Sequence, residues 1–83
     1  MTEQDLEKAI KLKEKLDYER RLLNFAQKPY VELSVMLRER ERNGEVFLMD
    51  RVLGDEALTE IREKIISNIK DKIHSLESQM EKL

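Results

Sequence analysis

The sequence predicts an α+β fold, mostly α: a long helix, a β-hairpin and a second long helix running back antiparallel to the first, completed as an oligomeric helical bundle. Three observations carry this expectation. Charged residues make up 41% of the 83 positions against 40% hydrophobic, with two glycines and one proline, which is the balance of long, solvated, amphipathic helices. The apolar spacing switches from a heptad track to a period of two near Tyr30, and returns to a heptad track beyond Gly54. Between the two β-rich runs stands Asn43-Gly44, the pair that best tolerates the positive φ angles of a two-residue type I′ turn.

The whole chain, residues 1–83, reads as a single domain with a thin core of its own. Helix 1 is expected from about residue 3 to 27, because Thr2-x-x-Asp5 has capping-box spacing and Pro29 disfavours continuation past Lys28. At the standard rise that is about 37 Å. Ala9, Leu12, Leu16, Leu23 and Ala26 form a 3-4 heptad seam interrupted only at Glu19. Tyr18, Leu22 and Phe25 make a second apolar stripe on nearly the opposite side, so either the hairpin or another subunit must cover it.

The hairpin is expected from about residue 30 to 53. Val31, Leu33, Val35 and Leu37 alternate with Glu32, Ser34, Met36 and Arg38, and a second β-rich run extends from Glu45 to Val52. A two-residue turn at Asn43-Gly44 sets Arg40 opposite Phe47, Arg38 opposite Met49 and Met36 opposite Arg51. One face then carries Arg38, Arg40, Arg42 and Arg51 beside Phe47 and Met49. The other carries Val31, Leu33, Val35, Leu37, Val46, Leu48 and Val52. A three-residue loop instead moves Phe47, Met49 and Arg51 to the aliphatic face.

Gly54 breaks the strand and Asp55 can cap helix 2, expected at about residues 55–82. Ile66, Ile69, Ile73, Leu76, Met80 and Leu83 repeat in an unbroken heptad pattern, widened upstream by Leu58, Ile61 and Ile65. Two helices alone are expected to leave much of this stripe in water, and a lone two-stranded hairpin is marginal at best. Self-association follows as the simplest repair, through Ile66, Ile69, Ile73, Leu76 and Met80 on helix 2 and Tyr18, Leu22 and Phe25 on helix 1.

Catalysis finds little to work with. The chain has no cysteine, and its only histidine, His74, lies on the polar back of helix 2, where Asp71 and Glu77 cannot converge with it on a metal. Ser34 has no histidine near it in sequence, and neither glycine opens a phosphate-cradling loop. The expectation is a protein that is not an enzyme and uses no metal or cofactor. A net charge of −2, with both signs interspersed, gives no field toward nucleic acid or an anionic membrane. The acidic, polar start Met1-Thr2-Glu3-Gln4-Asp5 is unlike a signal peptide, and the longest apolar run, Val46 to Met49, is far too short to span a bilayer. A cytoplasmic location is expected.

The arginine face is the chemical feature that remains. Guanidinium groups beside an aromatic ring clamp phosphate while a base stacks, so Arg38, Arg40, Arg42 and Arg51, with Phe47 or Tyr30 as the stacking surface, form a candidate site for an anionic nucleotide-like ligand. The plainer reading is that these arginines pair with neighbouring glutamates or guard an exposed sheet edge.

In overall texture the chain resembles short bacteriophage and prophage helix–hairpin–helix proteins. The likeness covers the full length and rests on pattern: a charged first helix with Tyr18-Glu19-Arg20-Arg21-Leu22-Leu23, a short hairpin, and a closing helix ending Leu76-Glu77-Ser78-Gln79-Met80-Glu81-Lys82-Leu83. It implies an anti-defence role, by sequestering a nucleotide signal or by blocking a host protein. The expected functions rank as a ligand-sequestering homo-oligomer, then a protein-binding inhibitor or adaptor using a helical stripe or the hairpin, then a structural coiled-coil element.

Overall fold

The computed structural model describes residues 2–41 and 44–83. It is helix, hairpin, helix: α1 (Glu3–Ala26), β1 (Met36–Arg38), β2 (Val46–Leu48) and α2 (Asp50–Glu81). The predicted capping box is present. Thr2 Oγ1 accepts the Asp5 N–H at 3.1 Å, and the Asp5 carboxylate accepts the Thr2 N–H at 3.3 Å, which satisfies two otherwise orphaned donors. At the other end Gln27 donates its N–H to the Leu23 carbonyl, and α1 stops two residues short of Pro29.

The helices are antiparallel, as shown by cross-links running in opposite order along them. Leu12 shares a recess with Leu83, and Glu19, two turns further along α1, meets Lys72, further back along α2, at 3.0 Å; Arg20 adds a looser pair with Glu77 at 3.7 Å. The buried core between them is Leu16, Ile69, Ile73 and Leu76, flanked by Leu12, Leu22, Leu23, Ala26 and Met80. This corrects one expectation. Ile69, Ile73 and Leu76 are covered by α1 of the same chain, because the two seams match over most of the length of α1. Glu19, the apparent interruption of the first seam, is only 5% exposed, and Lys72 supplies its counter-charge from the facing helix.

α2 starts earlier than its heptad pattern suggests. Gly54 (φ 79°, ψ 166°) separates a first turn, Asp50–Leu53, from the long helix that follows. The break expected at Gly54 is thus present, but Arg51 and Val52 are helical and not part of a second strand. The first strand is also shorter than expected. Val31, Leu33 and Val35 are half-buried and Glu32 and Ser34 exposed, the predicted alternation, yet residues 31–35 form no ladder. Pro29, Val31 and Leu33 instead share a shallow recess with Leu58 and Arg62 of α2.

The whole is elongated, 53 × 32 × 18 Å. Its radius of gyration is 17.6 Å, where a compact chain of this length has about 12 Å. Among the described residues, no helix is long and apolar enough to cross a membrane.

Candidate functional site

The hairpin holds most of the sequence-predicted ligand residues, and its register decides what they form. β1 and β2 pair antiparallel with Met36 opposite Leu48, Leu37 opposite Phe47 and Arg38 opposite Val46. The Glu39 N–H donates to the Glu45 carbonyl at 3.1 Å, so the pairing runs on to Glu39 and Glu45. The expected two-residue turn is therefore replaced by a longer connection. Arg42 and Asn43 lie outside the described residues. Gly54 has a positive φ, 79°.

Phe47 faces Leu37 instead of Arg40, a slip of three residues against the expected pairing. An odd slip exchanges the faces of a strand. Leu37 and Phe47 therefore share one face, with Val35 and Met49 behind them, while Arg38 lies on the other with Met36, Val46 and Leu48. Among the described residues, the predicted arginines do not gather on the face of Phe47 and Met49. Arg40 is in the exposed loop, and Arg51 is on the first turn of α2. Arg38 nonetheless lines one shallow recess with Leu37 and Phe47, but Glu39 and Glu45 line it too, and their carboxylates disfavour a bound anion there. Tyr30 is well exposed and stands ahead of β1, its ring centroid 5.8 Å from the Lys28 ammonium, which also lies 5.9 Å from the ring of Phe25.

No family model, curated protein or solved structure matches this chain.

The predicted association residues divide into two groups. Ile69, Ile73 and Leu76 are buried inside the chain, and Ile66, Met80 and Leu22 are half-buried. Tyr18 and Phe25 remain in solvent. The hairpin adds a larger apolar surface that the sequence reading had distributed differently: Leu37 is 62% exposed and Phe47 58%, and Met36, Val46 and Leu48 are also exposed.

One structural residue escaped the sequence reading. Asp50 Oδ1 accepts the Val35 N–H at 2.9 Å, Oδ2 accepts the Ser34 hydroxyl at 3.3 Å, and the Met49 N–H donates to the Val35 carbonyl at 2.8 Å. Together they close the base of the hairpin where chain and helix meet. The signal for it was an acidic residue directly after the apolar run Val46–Met49 and four residues before Gly54, the place of a helical first turn.

Proposed function

We propose that this chain is a non-catalytic, homo-oligomeric protein-binding module, an adaptor or inhibitor that works by protein–protein association and first of all with itself. The observation that carries the reading is surface. A folded monomer of 9.9 kDa exposes about 5,200 Å², whereas this chain exposes 7489 Å². The surplus of roughly 2,300 Å² exceeds the roughly 800 Å² that each partner buries in a standard interface. Much of it is apolar, including Tyr18, Phe25 and the strand residues of the hairpin.

The nucleotide-sequestering reading depended on four arginines gathered on one strand face. With Arg38 beside Met36 and Leu48, and with Arg51 on a helix, that cluster loses its geometry. Binding to protein surfaces asks for exposed apolar groups with a polar rim, and those are present. The likeness to small phage proteins supports a host protein as the eventual target.

Sedimentation velocity over low to high micromolar concentration tests the reading, with a dimer or larger species expected. A monomer throughout that range removes it. Calorimetry against mono-, di- and cyclic nucleotides is the second arm, and no heat of binding is expected. Saturable heat would restore the anion site and displace the protein-binding reading.

A further inference from the structure

Two recesses on the same side of the helical pair join into one groove. The first is lined by Lys8, Lys11, Leu12 and Lys15 of α1 and by Gln79 and Leu83 of α2. The second shares Lys15 and Gln79 with it and continues to Tyr18, Lys72 and Leu76. Along α1 the groove follows Lys8, Lys11, Lys15 and Tyr18, a 3-4-3 spacing that keeps them on one flank of the helix for about 15 Å.

The groove is basic although the chain is not. Four lysines line it against two glutamates, Glu14 and Glu19, and Glu19 is already matched by Lys72 at 3.0 Å. Among the described residues, Lys8, Lys11 and Lys15 have no carboxylate within ion-pair distance. The formal net charge of the chain is −2, so this positive charge is local and draws acidic groups to one place.

We infer that this groove receives an acidic amphipathic helix from another protein. This deepens the reading above by naming a kind of partner, and it rests on the protein-binding part of that reading. A channel between two antiparallel helices is filled by a third, whose side chains interdigitate with both walls. Carboxylates at i, i+3 and i+7 of the incoming helix match the spacing of Lys8, Lys11 and Lys15, and an apolar residue between them meets Leu12 and Leu83.

Charge and shape select this occupant over others. A second copy joined about a two-fold axis presents the same flank, and sets lysines against lysines. Phosphate backbones are gripped best by arginine forks, and among the described residues no arginine lines the groove, while Glu14 and Glu19 do. A flat anionic bilayer meets the rim of a groove before its apolar floor.

The test uses the full chain and a labelled synthetic peptide with glutamates at i, i+3 and i+7 and leucines between them. Fluorescence anisotropy should show saturable binding, weakened roughly tenfold or more by Lys8→Glu with Lys11→Glu. Lys64→Glu with Lys70→Glu makes the same change in net charge at exposed positions of α2 outside the groove, and should bind like the unmodified protein with unchanged helical circular dichroism. A scrambled peptide of the same composition should bind at least about tenfold more weakly, as a lost apolar stripe requires. The inference is overturned if the dimeric protein shows no saturable binding at high micromolar concentration, if the scrambled peptide binds equally, or if both lysine pairs lose binding alike. Tighter binding to a single-stranded oligonucleotide or to phosphatidylserine vesicles overturns it too. Each of those results leaves self-association standing. A chain that is monomeric in sedimentation velocity yet binds the patterned peptide through Lys8 and Lys11 removes the oligomer and keeps the groove.

Discussion

In the helical pair, Leu16, Ile69, Ile73 and Leu76 are buried between two long seams, whereas in the hairpin Leu37, Phe47 and Leu48 all face water. Both regions are rich in apolar residues, so composition does not separate them. What separates them is the presence of a facing layer within the chain. A heptad seam finds its complement in a second helix that folds back along it, but a two-stranded sheet has two faces, and all the strand residues of this one stay exposed. Burial and exposure are thereby divided between two places: the helices hold the core, and the hairpin offers apolar surface.

The largest effect should come from the helical core. Ile73→Ala removes a buried side chain where α1 and α2 meet, and should lower stability by about 2–5 kcal/mol in urea titration. Leu37→Ala, measured at a concentration where the chain is monomeric, should change it by no more than about 0.5 kcal/mol, as exposed substitutions do. Equal losses at the two positions would erase the contrast between the regions.

A smaller effect, of opposite sign for its two arms, is expected at Glu19. Its carboxylate is buried while Lys72, at 3.0 Å, keeps most of its side chain in water. Lys72→Met strips a buried charge of its partner and should cost about 1–2 kcal/mol, below the value for a fully buried pair because solvent already screens the lysine. Glu19→Leu completes the heptad seam and should be neutral or stabilising by about 1 kcal/mol. A marked loss with Glu19→Leu in thermal melts would mean that the ion pair, and not apolar packing, sets the helix register.

These two regions were also unequally legible. Both helices could be read from the sequence because their signals are local and redundant: Thr2 and Asp5 at the start of α1, Pro29 after its end, and the Ile69-Ile73-Leu76 spacing along α2. The hairpin was legible as an element and not as a register. Asn43-Gly44 suits a two-residue turn, but it can equally lie within a longer loop, and only the cross-strand pairing of Leu37 with Phe47 decides between them. The alternation from Val31 to Val35 was real in burial, although no partner strand pairs with residues 31–35 among the described residues, and Val31 and Leu33 share a recess with Leu58 and Arg62 of α2. Glu19 looked like a gap because its counter-charge, Lys72, is far away in sequence.

At the junction between the regions, Asp50→Ala should leave the part-buried Val35 N–H without its acceptor, at a cost of about 1 kcal/mol. The loss should be local. Hydrogen exchange should speed up at the Met49 and Glu39 amides, whose bonds lie in the hairpin ladder, while amides around Ile69 and Ile73 keep their protection. Acceleration spread equally along α2 would show that hairpin and helices open as one unit.

The smallest effects belong to the two glycines, and they sharpen the boundary further. Gly54 has φ 79°, a conformation that L-residues rarely adopt, and a Cβ there would meet no neighbour within 4 Å. Gly54→Ala should thus be limited to backbone strain, a loss of about 1 kcal/mol in thermal melts, with no steric contribution. Gly44 is the reverse case. A Cβ there would run into Cβ of Glu39 and crowd the Glu41 carbonyl, so Gly44→Ala should disturb the pairing of Glu39 with Glu45. Because the hairpin contributes little to the core, this change should barely move the melting temperature, yet it should speed hydrogen exchange at the Glu39 amide. A Gly44→Ala protein that melts several degrees lower while the Glu39 amide keeps its protection would reverse the division of labour between hairpin and helices.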